Sequence, residues 1–260
     1  MSGTSTPPDT GTQSAARVAD LLLALADGPA GVSALAARTG MSKAVAHRIL
    51  QSLRSRDLVG ADGRGSYRLG VAAAALGARA LARLDLRSSS LPILRELREL
   101  TQETTTLSAL SGLARVYLAQ VVSPQEVKMT VEVGRPFPLH AGASSKAILA
   151  HADPELREQV LSRPLVALTP YTPVTRAELE RELATIAAEG VAVSRGERQA
   201  GAGSVAAPLF GPHGEVVGSI SVCGPVDRFD GERARLLAEP VREAAAAITR
   251  RLGELDRTGG

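Results

Sequence analysis

The chain has little of several residue types that mark particular classes of protein. Its 260 residues include one cysteine, no tryptophan, three tyrosines and three phenylalanines. A single cysteine, Cys223, cannot form an internal disulfide, which is typical of proteins in a reducing cytosol. No apolar run approaches the roughly 18 residues that a membrane-spanning helix needs, and the N-terminus lacks a charged region followed by an apolar stretch. These absences predict a soluble cytoplasmic protein without a membrane partner.

Charge is distributed unevenly along the sequence. Glutamate is missing from the first 95 residues, and Glu96 is the first one. Residues 32–70 hold seven arginines and lysines against two aspartates, whereas the whole chain carries a net charge of only +3. A positive patch that is confined to one segment is the electrostatic footprint of a phosphate-binding surface. The sequence therefore predicts two parts with different surfaces, of which the first contacts nucleic acid.

The N-terminal part has the pattern of a small DNA-binding module. Residues 1–13 are small, polar and proline-containing, which predicts a disordered tail. Three short helical stretches follow; Gly40 ends the second, and Ser42 can cap the third. Two short strands then surround Asp62-Gly63, a strong hairpin pattern. Three helices and a hairpin predict a winged helix-turn-helix over residues 14–70, whose third helix enters the major groove.

The third helix and the hairpin supply the candidate DNA contacts. The residues at the exposed start of the helix are expected to contact bases; they are Lys43, Ala44 and His47. Four others are expected to contact phosphates from the helix and the wing; they are Ser42, Arg48, Arg64 and Arg68. The alternative is a small helical domain whose charged face is merely solvated. The localised charge and the hairpin favour DNA binding.

After the winged helix, the sequence predicts a connecting segment and a second domain. Residues 71–87 are rich in alanine and leucine and predict a linker helix, which either packs against its twin in a dimer or is an ordinary surface helix. From residue 88 onward, helical and strand patterns alternate. The predicted strands cover residues 107–110, 114–122, 127–133, 191–194, 204–210 and 216–223. Strands flanked by helices predict an α+β domain with an antiparallel sheet.

Four blocks of sequence resemble one known family. They are Lys43–Leu50 with Tyr67–Gly70, Val133–Ala147, Glu197–Pro208 and Ser219–Pro225. Together, and in this order, they make the chain resemble IclR-type transcriptional regulators over about residues 14–253. The resemblance implies a GAF-like effector-binding and oligomerisation domain over residues 88–260. It also implies homodimers or tetramers that bind double-stranded operator DNA, with repression favoured although nothing in the sequence decides between repressor and activator.

The resemblance also implies an effector pocket. Backbone N–H groups of Gly142, Ala143 and Ser144 would bind a carboxylate at the start of a helix. The opposite wall would be formed by Ser194, Ser204, Ser221 and Cys223. The implied effector is an organic acid or an aromatic metabolite. Family members that bind small keto acids tend to have an acidic residue in place of Ser194 and a cysteine in place of Ser204, so the effector's identity stays open.

Two other functions compete with this interpretation. In the first, the C-terminal domain only oligomerises and binds no effector. In the second, more remote, that domain is an enzyme. Ser144-Ser145-Lys146 misses the Ser-x-x-Lys spacing by one residue, and the glycine-rich stretch at 201–206 continues as a strand where a nucleotide motif needs a helix. His140, His151 and His213 have no metal-ligand spacing. The sequence therefore predicts no cofactor, no metal and no catalytic residue.

Overall fold

The helices and strands of the chain belong to two separate units. The computed structural model describes residues 10–63, 65–83 and 85–258. One unit extends to Arg83, and the other begins after it. Each has its own hydrophobic core, one built around Leu21, Leu35 and Leu50 and the other around Leu149 and Leu179.

The described residues of the N-terminal unit form a helical bundle with a small antiparallel sheet. Its elements are α1 Thr10–Ala26, β1 Ala30–Gly31, α2 Val32–Arg38, α3 Lys43–Arg54, β2 Val59–Ala61, β3 Ser66–Leu69 and α4 Val71–Arg83. The strands lie in the order β1-β3-β2. At the hairpin, the Asp62 N–H donates to the Ser66 carbonyl, and the Ser66 N–H donates to the Asp62 carboxylate, both at 3.0 Å. The predicted winged helix-turn-helix is confirmed.

The described residues of the C-terminal unit form helices on both faces of one sheet. Its elements are α5 Asp85–Thr101, β4 Thr104–Ser111, β5 Ala114–Val121, β6 Pro136–Pro138, α6 Ala143–His151, α7 Pro154–Leu161, α8 Arg176–Glu189, β7 Ala192–Arg195, β8 Ala202–Phe210, β9 Val216–Pro225 and α9 Gly231–Thr258. The six strands lie in the order β6-β5-β4-β9-β8-β7, and every neighbouring pair is antiparallel. The predicted α+β class with an antiparallel sheet is confirmed.

Alternation along the strands separates the two faces of this sheet. The Thr105 hydroxyl donates to the Leu94 carbonyl of α5 at 2.8 Å, so Thr105 faces α5. Its neighbour Thr106 faces the other side, because successive side chains of a strand point in opposite directions. On that side, Ala192 and Ala206 pack in one core cluster with residues of α6 and α8. Helix α6 therefore covers the face on which polar strand residues gather.

Several predicted boundaries are wrong at the N-terminus and at the linker. Helix α1 already begins at Thr10, so the tail predicted over residues 1–13 is contradicted for residues 10–13, while residues 1–9 lie outside the described part. Helix growth is cooperative, which lets weak helix formers join an established helix. The helix predicted over 71–87 ends at Arg83, and Asp85–Arg87 belong to α5.

The strand predicted over residues 127–133 is also wrong. There the backbone groups bond to side chains instead of to a neighbouring strand. The Val131 N–H donates to Gln120 Oε1 at 3.0 Å, and Gln120 Nε2 donates to the Val131 carbonyl at 2.8 Å. The Thr104 hydroxyl donates to the Met129 carbonyl at 2.7 Å. Strand β6 forms at Pro136–Pro138 instead, at the sheet edge, where proline is tolerated.

Candidate DNA-binding surface and ligand cavity

Helix α3 presents one exposed polar face to solvent. It begins after Ser42, whose backbone is extended and whose hydroxyl accepts from the Val45 N–H at 3.4 Å. Ala46, Leu50 and Leu53 turn towards the core. The opposite face carries five of the predicted DNA contacts, all exposed: Ser42, Lys43, Ala44, His47 and Arg48. Capping and amphipathic spacing together place these residues at the start of the helix, where a helix in the major groove contacts base edges.

The charges of this surface face solvent. Arg38 pairs with Asp27, which offsets the charge of Arg38. Within the described residues no acidic side chain pairs with Lys43, Arg48 or Arg68, and Arg68 lies exposed on β3. The predicted contact Arg64 lies outside the described residues. The surface therefore keeps uncompensated positive charge on α3 and on the wing, as phosphate binding requires.

A small cavity lies between α6 and the sheet of the C-terminal unit. It is lined by all seven predicted effector residues: Gly142, Ala143, Ser144, Ser194, Ser204, Ser221 and Cys223. Seven further residues that sequence reasoning did not include also line it: Arg115, Tyr117, Met129, Arg198, Gln199, Ala202 and Gly203. Its volume is about 20 Å³. One water molecule requires about 10–15 Å³ on such a measure, so the cavity has room for about one.

Strand register explains why distant residues meet in this wall. Ser194 pairs with Ser204 across β7 and β8, and Ser204 pairs with Cys223 across β8 and β9. Ser221 lies two residues before Cys223 and therefore faces the same side. The hydroxyls of Ser221 and Thr106 lie 2.7 Å apart. Burial raises the pKa of the Cys223 thiol to about 12, which keeps it neutral near pH 7.

The start of α6 is already occupied in part by a protein carboxylate. Gly142 precedes the helix with a φ of +87°, a conformation that favours glycine. Its N–H, which the resemblance assigns to a ligand carboxylate, donates to Glu197 Oε2 at 3.0 Å in this structure. Glu197 Oε1 accepts from Lys146 Nζ at 2.6 Å. The N–H groups of Ala143 and Ser144 belong to the first turn, where the helix offers them no acceptor.

Arg115 is the main site residue that sequence reasoning missed. Its side chain is only 1% exposed. It donates from Nε to the Ser145 hydroxyl at 2.7 Å, from Nη1 to the Ser108 hydroxyl at 3.1 Å, and from Nη2 to the Tyr117 hydroxyl at 3.0 Å. Burial is the largest influence on this guanidinium and lowers its pKa. The pattern that would have indicated it is an arginine two residues from Tyr117 in an otherwise apolar strand.

Two further features bear on what the molecule can do. In the described ranges, no group of three or more histidine, cysteine, aspartate or glutamate side chains is arranged to hold a metal ion. The helices within those same ranges include none whose length and apolarity would suffice to span a membrane.

A winged helix with an exposed basic helix, followed in the same chain by an α+β unit with a polar cavity, defines a two-domain DNA-binding regulator. Family models agree with this class. The IclR helix-turn-helix domain matches residues 14–63, and the C-terminal domain of the bacterial transcriptional regulator IclR matches residues 78–250. The chain belongs to the IclR family of DNA-binding transcriptional regulators.

Individual relatives cover nearly the whole chain. It is 38% identical over 229 residues to the HTH-type transcriptional regulator Rv1719 of Mycobacterium tuberculosis, which is 87% of each protein. It is 29% identical over 228 residues to the HTH-type transcriptional repressor AllR of Escherichia coli K12, covering 87% of this chain and 84% of AllR. An IclR homologue from Microbacterium hydrocarbonoxydans, solved with 4-hydroxybenzoate, superposes with a TM-score of 0.74 at 28% identity, covering 92% of this chain and 98% of that one. Rv1719 is named a transcriptional regulator and AllR a transcriptional repressor.

Proposed function

We propose that the protein is a sequence-specific transcriptional repressor whose operator affinity is controlled by a small-molecule effector bound in the cavity. The observation that carries this proposal is that the cavity gathers all seven effector residues implied by the family resemblance. Two relatives add support, since AllR is named a repressor and the Microbacterium homologue is complexed with 4-hydroxybenzoate. An organic acid or an aromatic metabolite is the proposed effector.

The DNA contacts form the second part of the proposal. Lys43, Ala44 and His47 read base edges from the start of α3. The phosphate contacts come from the helix and the wing and are Ser42, Arg48, Arg64 and Arg68. Lys43, Arg48 and Arg68 are exposed and form no ion pair within the described part of the chain, which supports these roles.

The assembled repressor is proposed to be a homodimer, or a tetramer built from two dimers, acting in the cytoplasm. Winged helix-turn-helix dimers place two recognition helices about one helical turn apart, so a palindromic operator mirrors the symmetry of the protein. An effector alters operator occupancy only if it binds one arrangement of the two recognition helices more tightly than the other.

The test compares two duplexes by fluorescence anisotropy across a salt series. One carries the intergenic DNA upstream of the gene, and the other is a scrambled duplex of equal length. We expect the native duplex to bind about a thousandfold more tightly, with affinity falling steeply as salt rises. Equal binding to both duplexes, with and without effector, contradicts sequence-specific regulation by this site.

A second measurement separates effector control from an oligomerisation domain that binds nothing. A ligand that binds only the folded protein raises Tm by mass action. Effector control predicts that at least one organic acid or aromatic compound raises Tm and changes operator affinity. A domain that only oligomerises predicts that neither quantity responds to any compound.

A further inference from the structure

Arg115 places a positive charge in the cavity wall, and no carboxylate of the described residues forms an ion pair with it. Its three hydrogen-bond partners are the hydroxyls of Ser108, Tyr117 and Ser145. Hydroxyl oxygens solvate a cation without neutralising it, and a buried charge normally requires a counter-charge. The guanidinium also lies 4.2 Å above the Tyr117 ring, whose negative face compensates part of the charge.

Two buried acidic side chains of this unit, Glu103 and Glu197, already have other partners. Glu197 is shared by the Lys146 ammonium and the Gly142 N–H. Arg228 donates to the Glu103 carboxylate from Nε at 2.6 Å and from Nη2 at 2.8 Å. Neither carboxylate forms an ion pair with Arg115 in the described structure. Among the described residues, then, none supplies the negative charge that would balance Arg115.

The N–H groups of Arg115 that have no acceptor indicate what kind of ligand it could bind. A guanidinium has five N–H groups, one on Nε and two on each terminal nitrogen. Arg115 uses one at Nε, one at Nη1 and one at Nη2. One N–H therefore remains on each terminal nitrogen. Both belong to a planar guanidinium, a group that recognises carboxylate oxygens through its N–H groups.

The rest of the cavity wall agrees with an anionic ligand. The half-buried Arg198 also lines it, with its guanidinium 4.9 Å from the Phe137 ring. The residues that line the cavity include two arginines and several hydroxyls but no aspartate or glutamate. The first-turn N–H groups of Ala143 and Ser144 lie at the positive end of the α6 dipole. Each of these groups stabilises negative charge.

The resemblance already implies an organic acid as effector, and we propose that Arg115 is the counter-ion of its carboxylate. The inference rests on the proposed effector control and narrows it, because a neutral aromatic compound cannot supply the missing charge. Arg198 and the amides of Ala143 and Ser144 complete an anion site. The hydroxyls of Ser194, Ser204 and Ser221 face the remainder of the ligand.

Isothermal titration calorimetry on the full chain tests the charge requirement without any substitution. The probes are propanoate, 2-oxopropanoate, butanedioate and 4-hydroxybenzoate, each paired with its neutral amide, and inorganic phosphate. We expect at least one carboxylate to bind, and its amide to bind at least about tenfold more weakly, because hydrogen bonds to a charged partner are lost. Equal binding of acid and amide overturns the inference, as does binding of phosphate alone or of no carboxylate.

Two variants then assign the charge requirement to Arg115. Arg115→Met places an apolar side chain of similar length in the buried site and should abolish the preference for acid over amide. Arg135→Met is the matched control, since Arg135 also lies against the Phe137 ring, at 5.4 Å, but is exposed and does not line the cavity. It should bind the carboxylate like the unchanged protein. An Arg115→Met protein that is folded by circular dichroism and still prefers the acid overturns the assignment.

Operator binding measured on the same samples keeps this inference distinct from the proposed function. If the protein binds its operator specifically and responds only to neutral compounds, effector control is supported and the carboxylate assignment is wrong. If the protein binds a carboxylate through Arg115 but does not prefer the native duplex over the scrambled one, the anion site is supported and the proposed operator binding is wrong.

Discussion

At the scale of single residues, Cys223 shows how burial sets chemical behaviour. Its pKa is raised to about 12 from an ordinary 9.0, with burial as the largest cause. The thiol should therefore react slowly with iodoacetamide at pH 8 in the folded protein and rapidly in guanidinium chloride, because the thiolate is the nucleophile. Mass spectrometry of the alkylated chain measures the difference. Rapid alkylation of the folded protein contradicts a buried, neutral thiol.

The same shift makes stability depend on pH in a defined direction. Since the folded pKa is the higher one, only the unfolded chain loses the proton between about 9 and 12, and stability falls as pH rises through that window. The expected slope is up to about 1.4 kcal/mol per pH unit. Denaturant unfolding at several pH values measures it, and Cys223→Ala should remove this part of the slope.

Lys43 and Arg48 allow base readers to be separated from phosphate contacts. Lys43→Ala should reduce the preference for operator over random DNA by about 1–3 kcal/mol, because a base contact carries sequence information. Arg48→Ala should weaken both duplexes alike and lower the salt slope by about 1, because a phosphate contact carries none. Anisotropy measures both effects. If Lys43→Ala lowers the affinity of both duplexes equally, Lys43 does not read bases.

At the scale of structural elements, the start of α6 depends on a buried ion pair. Lys146 is 2% exposed and Glu197 is 8% exposed. Lys146→Met should cost about 3–5 kcal/mol of unfolding free energy, since it leaves Glu197 buried without its cation. Glu197→Gln should cost less, because Glu182 still pairs with the lysine at 2.6 Å and the new amide oxygen can still accept from Gly142.

Chemical denaturation measures both costs, and the exposed Lys128 provides the control. Lys128→Met should change the unfolding free energy by no more than about 0.5 kcal/mol. Similar losses for Lys146→Met and Lys128→Met would show that the buried pair contributes nothing to the fold.

The elements differ in how far their sequence determines them. The cap at Ser42 and the apolar spacing of α3 are local patterns, and the structure forms this helix over Lys43–Arg54. The segment at 127–133 alternates like a strand, but Gln120 and Thr104, which lie elsewhere in the chain, bond its backbone. Alternation within one segment cannot reveal such partners. Hydrogen bonds to these distant side chains determine the conformation of residues 127–133.

Some cavity residues can be predicted from the sequence, whereas others are revealed only by the structure. Its serines and Cys223 follow from resemblance to a family, and strand register explains why they meet. Arg115 is different, because two of its three hydroxyl partners come from neighbouring elements, Ser108 from β4 and Ser145 from α6. A single sequence contains the arginine but not the absence of an acid beside it. Only the packed structure shows the uncompensated charge.

At the scale of the whole molecule, the two units divide the proposed contacts between them. Every proposed DNA contact lies in the unit that ends at Arg83, and every cavity residue lies in the other. Residues 84–260 expressed alone should therefore keep carboxylate binding, since their core is separate, and should lose operator binding completely. Calorimetry and anisotropy on the same fragment measure both. Loss of carboxylate binding by a folded fragment would show that the N-terminal unit contributes to the cavity.

The size of the cavity has a consequence in time as well as in chemistry. With room for about one water molecule, it would admit the proposed effector only while its wall is displaced. Effector binding would then be limited by the opening of the wall and not by diffusion, and effector release would require the same opening. Transcription from a promoter controlled by this protein would then stay unchanged for a time after the effector concentration has fallen. The fold would thus give the regulatory response a short memory.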